Sequence, residues 1–215
     1  MLKFICKVFN FSKKNDIRWI LYEKYSKITG YYNIKFQKIL YGKRFTINPG
    51  YKVWGKIRLL IHGIGSITIG NDFHAVSDRK RSFITLFSPI QLTVIGDAEI
   101  IIGDHVGLNG TTITARKKIT IGDYTMIGPN TIIVDNDGHN AWPPRERWTT
   151  SGRSEEIIIE NDVWIGMNCT ILKGVKIGTG SIISAGSVVI ANVEPNSLYA
   201  GNPAEKIKSL NLINL

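Results

Sequence analysis

The sequence of 215 residues predicts a mainly-β fold, a parallel β-helix of stacked three-sided coils, and three observations carry that expectation. An aliphatic residue recurs every six positions: Ile121, Ile127 and Ile133, then Ile159, Ile165, Ile171, Ile177, Ile183 and Val189. Short Ile/Val/Thr runs close on glycine, as ITIG at 67–70, TVIG at 93–96, IIIG at 100–103 and ITIG at 119–122. The residue after each aliphatic of the regular stretch is mostly small or polar, with Gly166, Gly178 and Ser184 as examples. A strand of four or five residues buries alternate side chains. If a short turn then rotates the chain by about a third of a circle, three hexads close one coil, and each coil covers its neighbour's edge. An amphipathic helix would also place apolar residues at steps of three and four. A sandwich would need longer strands spaced about 8–12 residues apart.

Residues 1–45 differ from this texture, being rich in Lys, Tyr and Phe and poor in Gly. Ile17, Ile20, Leu21, Lys24, Tyr25 and Ile28 recur at helical spacing, which predicts a helix ending near Gly30. A second apolar and basic run, Ile34 to Tyr41, ends at Gly42. The β-helix is then expected over 46–194. It is interrupted at 75–92, where a protruding loop or a distorted coil explains the lost register, and at 135–156, where the chain loops out. Residues 195–215 contain Pro195 and Pro203, then Ile207, Leu210, Leu212 and Ile213 at helical spacing. They predict a turn and a helix capping the open end of the solenoid.

The formal charge is +10, which favours an anionic partner. No single dense basic patch stands out and the C-terminal half is close to balanced, so cofactor phosphates or an acidic polymer fit better than nucleic acid. Two cysteines, Cys6 and Cys169, make no disulfide framework and fit a cytoplasmic setting. No apolar run approaches the length of a membrane span. The first residues lack the apolar core and cleavage site of a secretory signal. Phe4, Ile5, Val8, Phe9 and Phe11 among lysines admit a weak membrane-surface role, with the inner membrane face as the corresponding location; a terminal strand or helix packed on the body is the simpler reading of the segment.

Three blocks, ITIGDYTMIGPNTIIVDNDGH, NDVWIGMNCTILKGVKIGTGSIISAGSVVI and AGNPAEKIK, resemble successive segments of the hexapeptide-repeat acyltransferases. The likeness to bacterial O-acetyltransferases acting on sugars and surface polysaccharides covers about residues 95–210. It implies a left-handed helix, whereas the general rule for β-crossovers favours the right hand. It also implies acetyl-CoA as acyl donor, no metal, a homotrimer and a sugar or glycan acceptor. His139 matches the family's general base. It follows Gly138 at the root of the extruded loop, and a neutral imidazole suits abstraction of a hydroxyl proton near pH 7. By the same resemblance Asn109 and Trp164 contact the acceptor, while Gly166, Met167 and Ala185 flank the thioester arm. An asparagine in a β-helix also forms internal ladders or turns, and Trp164 also suits a corner covering an adjacent subunit.

Two departures stand out: Ile190-Ala191 replaces a Thr-Lys pair, and Glu205 replaces a basic residue after the GNPA turn. Lys206 and Lys208 are the nearest substitutes for phosphate contacts. On the extruded loop, Trp142 and Trp148 suit stacking on sugar rings, and Arg145, Arg147 and Arg153 suit a carboxylate. They equally suit packing on a neighbour and pairing with Glu146, Glu155 and Glu156. His62, His74 and His105 match no catalytic position and are expected to be structural. N-acetylation of an amino-sugar nucleotide and a non-catalytic scaffold are the alternative functions.

Overall fold

A computed structural model describes residues 17–149 and 151–210. The apolar and basic segment at the N-terminus, with Phe4, Ile5, Val8, Phe9, Phe11 and Cys6, lies outside the described residues, as do Leu212 and Ile213. Three sheets run along the molecule. The first holds β1 (Phe45–Ile47), β4 (Ser66–Ile69), β7 (Glu99–Ile102), β10 (Lys118–Ile121), β13 (Ile157–Ile159) and β16 (Lys176–Ile177). The second holds β2 (Lys52–Trp54), β5 (His74–Val76), β8 (Gly107–Asn109), β11 (Met126–Ile127), β14 (Trp164–Ile165), β17 (Ile182–Ile183), β19 (Ser197–Gly201) and β20 (Ala204–Ser209). The third holds β3 (Arg58–Gly63), β6 (Gln91–Gly96), β9 (Thr112–Ala115), β12 (Ile132–Val134), β15 (Thr170–Leu172) and β18 (Val188–Val189). From β1 to β18 successive strands visit the sheets in turn, β19 and β20 close the second sheet, and every strand pairing is parallel except β19 with β20.

The hexad register is the pairing register. Ile121 pairs with Ile159 and Ile159 with Ile177; Ile127 pairs with Ile165 and Ile165 with Ile183; Ile133 pairs with Ile171 and Ile171 with Val189. These side chains fill the prism and are essentially inaccessible to solvent. Burying one such side chain stabilises by roughly 1.5–3 kcal/mol, so the ladder as a whole holds the fold together. Glycine follows them at the corners because corners stack closely. A Cβ on Gly128 would come within 2.7 Å of the Gly166 carbonyl carbon, and one on Gly166 within 2.6 Å of the Ala185 nitrogen. Such contacts need the next coil to shift.

The N-terminal region is one continuous helix, α1 (Ile17–Tyr41), and does not break at Gly30. Gly30 is there for close approach: a Cβ would collide with the Val53 carbonyl. The helix covers the open edge of the first coil and supplies its missing partners. Ser26 and Asn33 accept the N–H groups of Gly55 (3.1 Å) and Ile57 (2.9 Å). Lys38 and Tyr41 donate to the carbonyls of Ile47 (3.1 Å) and Leu59 (3.0 Å). At the other end the expected capping helix is instead a β-hairpin. The chain reverses at Gly201, where φ is +106°, and β20 returns antiparallel along β19. An unpaired sheet edge satisfies backbone groups that a helix would leave exposed, so the tertiary setting overrides the local spacing of Ile207 and Leu210.

Candidate active site

Two adjoining grooves lie on the second sheet and its corner with the third. One, of about 560 Å³, is lined by Trp164, Gly166, Met167, Ser184, Ala185 and Leu198. The second, of about 400 Å³, has Trp54, Met126 and Trp164 as apolar walls. Trp164, Gly128 and Pro129 belong to both, so the grooves meet at that tryptophan. Trp164 heads β14, points outward and is 56% exposed.

The corner residues along the first groove are small, so a ligand lying in it can run close to the main chain. Ser184 N–H donates to the Tyr199 carbonyl and Gly186 N–H to the Met167 carbonyl, both at 2.9 Å. The Ala185 N–H between them meets no acceptor among the described residues. A thin chain carrying amide carbonyls fits such a groove. Beneath it the Cys169 thiol donates to the Ser184 carbonyl at 3.2 Å, and burial pushes its pKa up, so it is a packed neutral thiol. Lys208 stands opposite Leu198, a lining residue of this groove, in the β19–β20 ladder. Lys206 is engaged by Glu194 at 2.6 Å.

The second groove carries polar groups at its base. Asn109, last in β8, has its Oδ1 without a partner among the described residues, and Arg81 Nε and Trp54 Nε1 are likewise unpartnered. His74 lines the groove from β5. Burial and the Lys52 ammonium hold its imidazole below the usual value, so it is neutral near pH 7. The floor is low because Gly107 stands between His74 and Met126 in the ladder, and a Cβ there would meet only Met126, at 3.9 Å. Sequence reasoning missed His74, Arg81 and Ile84 as wall residues. The last two come from the 77–90 loop that breaks the repeat, whose Phe87 N–H and Thr85 carbonyl are tied to the Asn130 amide at 2.9 Å each. That loss of register was the available signal. His105 stacks on Tyr124 with ring centroids 4.5 Å apart and lines neither groove.

His139 sits elsewhere. The DNDGH segment follows β12, on the third sheet, and builds the root of the 135–156 loop. Asp135 is fully buried and its carboxylate accepts the N–H groups of Arg116, Lys117 and Lys118 at 2.7, 2.8 and 2.9 Å. Asn136 accepts Gly138 N–H at 3.1 Å, Asp137 pairs with Lys173 at 2.6 Å, and His139 N–H donates to the Asp137 carbonyl at 2.8 Å. The His139 residue is exposed. The width of the third sheet, at least roughly 10 Å for a strand of β12's length, separates this corner from the grooves. Trp142 and Arg145 are exposed on the same loop, and neither lines either of these two grooves. The structure therefore brings together Asn109, Trp164, Gly166, Met167 and Ala185, and sets His139, Trp142 and Arg145 apart from them.

The family described as bacterial transferase hexapeptide (six repeats) matches residues 156–191. A putative lipopolysaccharide biosynthesis O-acetyl transferase of Escherichia coli strain K12 is 29% identical over 160 residues, 70% of this chain and 76% of that protein. The first curated relatives, all named acetyltransferases and including a galactoside O-acetyltransferase, are matched over only 29% to 54% of their own lengths. Among solved structures, a hexapeptide-repeat acetyltransferase of Vibrio cholerae complexed with acetyl coenzyme A superposes with a TM-score of 0.52 at 25% identity, covering 92% of this chain and 91% of that one. A mutant N-acyltransferase of Bacillus cereus, in complex with dTDP and coenzyme A, gives 0.61 at 20% identity, covering 83% and 89%, and shares the fold. The common architecture is the left-handed parallel β-helix.

Proposed function

We propose that this chain, a member of the hexapeptide-repeat acyltransferases, moves an acetyl group from acetyl-CoA to a sugar hydroxyl in the making of a bacterial surface polysaccharide. The observation that carries the reading is the meeting of the two grooves at Trp164. The first groove, with small corner residues and the free Ala185 N–H, suits a pantetheine arm, and Lys208, opposite Leu198 of its lining, suits a phosphate. The second groove offers apolar walls for a sugar face, an open acceptor on Asn109 and neutral His74 for hydroxyls. A relative matched over 70% of this chain is named for putative O-acetyl transfer in lipopolysaccharide biosynthesis, which supports a glycan acceptor.

In this reading His139 belongs to the grooves of a neighbouring protomer. A closed threefold assembly seats one chain's corner against the next chain's face, and the exposed Met126 and Trp164 suit burial there. The imidazole takes the hydroxyl proton as the oxygen attacks the thioester carbonyl. The oxyanion is met by a backbone N–H, the C–S bond breaks, and the proton passes to the departing thiolate.

The test is thiol release from acetyl-CoA in the presence of candidate glycans, with the product treated with hydroxylamine. The parent enzyme is expected to give a hydroxylamine-labile ester, and His139→Ala to lose about 10²–10⁴-fold in rate. Equal rates in both proteins would remove His139 from the mechanism. A hydroxylamine-stable amide would establish N-acetylation instead.

A further inference from the structure

The helix α1 is mounted with its apolar stripe facing away from the body. The face on the prism presents Ser26, Gly30, Ile34 and Gln37. The opposite face carries Ile17, Leu21, Tyr25, Ile28, Tyr32, Phe36 and Ile39, each 55% to 84% exposed. These positions advance by three or four residues and form one stripe along the length of the helix. A helix that only closed a solenoid would turn such a stripe inward.

Charge identifies what meets it. The first 44 residues contain eleven Lys and Arg against Asp16 and Glu23, so nearly all of the chain's net +10 is concentrated there. Lys24 and Lys35 lie along one edge of the stripe, exposed, where long side chains can keep their ammonium groups in the headgroup layer. Four of those eleven, Lys3, Lys7, Lys13 and Lys14, lie in the sixteen residues preceding α1. An apolar, tyrosine-rich face flanked by lysines matches the chemistry of a helix lying in the plane of an anionic bilayer. Packing against a second copy of the same helix would instead bring two strongly positive segments together.

From this we infer that α1 is a membrane-surface dock that seats the enzyme on anionic phospholipid, with its apolar stripe in the headgroup boundary and the prism in water. This does not rest on the catalytic reading. It goes beyond that reading by locating the protein at a lipid surface.

The experiment is flotation of the full-length chain with vesicles of phosphatidylcholine alone and of phosphatidylcholine with about a third phosphatidylglycerol, at low and high salt. The same assay is run on a triple variant, Leu21→Gln, Ile28→Gln, Ile39→Gln. These residues leave the prism contacts untouched, so thermal melting verifies that the variant folds. Expected are at least tenfold more binding to the anionic vesicles, weakening with salt, and a tenfold or greater loss in the triple variant. The proposal is overturned if the parent fails to prefer anionic vesicles, or if the folded variant binds as well as the parent. It is also overturned if the variant changes the mass of the particle in solution, which would make the stripe a contact between copies.

Discussion

A single buried carboxylate, Asp135, sets the position from which His139 leaves the coil. Its two oxygens satisfy three consecutive N–H groups of the turn below, at 116–118, and its own carbonyl accepts Glu155 N–H where the loop returns. Asp135→Ala leaves those donors without partners, each such loss being of order 1–3 kcal/mol. We expect a drop of about 3 kcal/mol in unfolding free energy by denaturant titration, a lower kcat, and acetyl-CoA binding close to the parent's, because the grooves lie on another face. Glu160 gives a second residue-scale prediction. The hydrogen bond from Lys176, then those from Thr179 N–H and Oγ, hold its carboxyl down from 4.5 to about 2. A depressed folded-state value gives stability that is complete above the unfolded value and lost as pH falls through the folded one. Glu160→Gln should therefore melt below the parent at neutral pH, with the gap closing between pH 4.5 and 2. A gap that stayed constant across that range would contradict this. Asn109 and Trp164, which line the grooves, were singled out in the sequence by their motif positions, and His139 by the same motif was expected beside them but stands at another corner. Asp135 was visible within DNDGH, but its role was not, since its partners lie 17–19 residues earlier and belong to the coil beneath.

At the level of elements, the repeat reported the strands almost directly, because a hexad aliphatic has one place to go when three strands close a prism. The ends were harder. Gly30 reads as a helix stop by local propensity, yet it marks the close approach of α1 to the Val53 carbonyl, a fact of packing rather than of sequence. The hairpin of β19 and β20 was hidden because a free sheet edge, and not local spacing, decides the conformation of residues 204–209. The 77–90 loop was recognisable as an interruption. Its use as a groove wall depends on tertiary ties to Asn130 that no local pattern contains. The ladder of β5, β8 and β11 yields the element-scale prediction. Gly107 leaves a gap with room for a side chain, so Gly107→Leu should fill the second groove at little cost to folding. Transfer to the glycan should fall at least tenfold while acetyl-CoA affinity, measured by calorimetry, stays within about twofold. A parallel loss of donor binding would show that the grooves are not functionally separate.

Across the whole molecule, one chain carries both parts of the proposed active site but holds them at different corners of the prism. His139 leaves the third sheet, whereas the grooves follow the second. On the proposed reading the two parts meet only between protomers, with the imidazole of one chain completing the grooves of the next. The most direct measurement is a mixing experiment. His139→Ala protein and Gly107→Leu protein, each inactive or nearly so, are unfolded together, refolded in equal amounts and assayed for acetyl transfer. If the site is shared, random assembly pairs a sound imidazole with a sound groove at about a quarter of the interfaces, and activity returns towards that fraction of the parent's. Mixed oligomers as inactive as either variant alone would contradict the shared site.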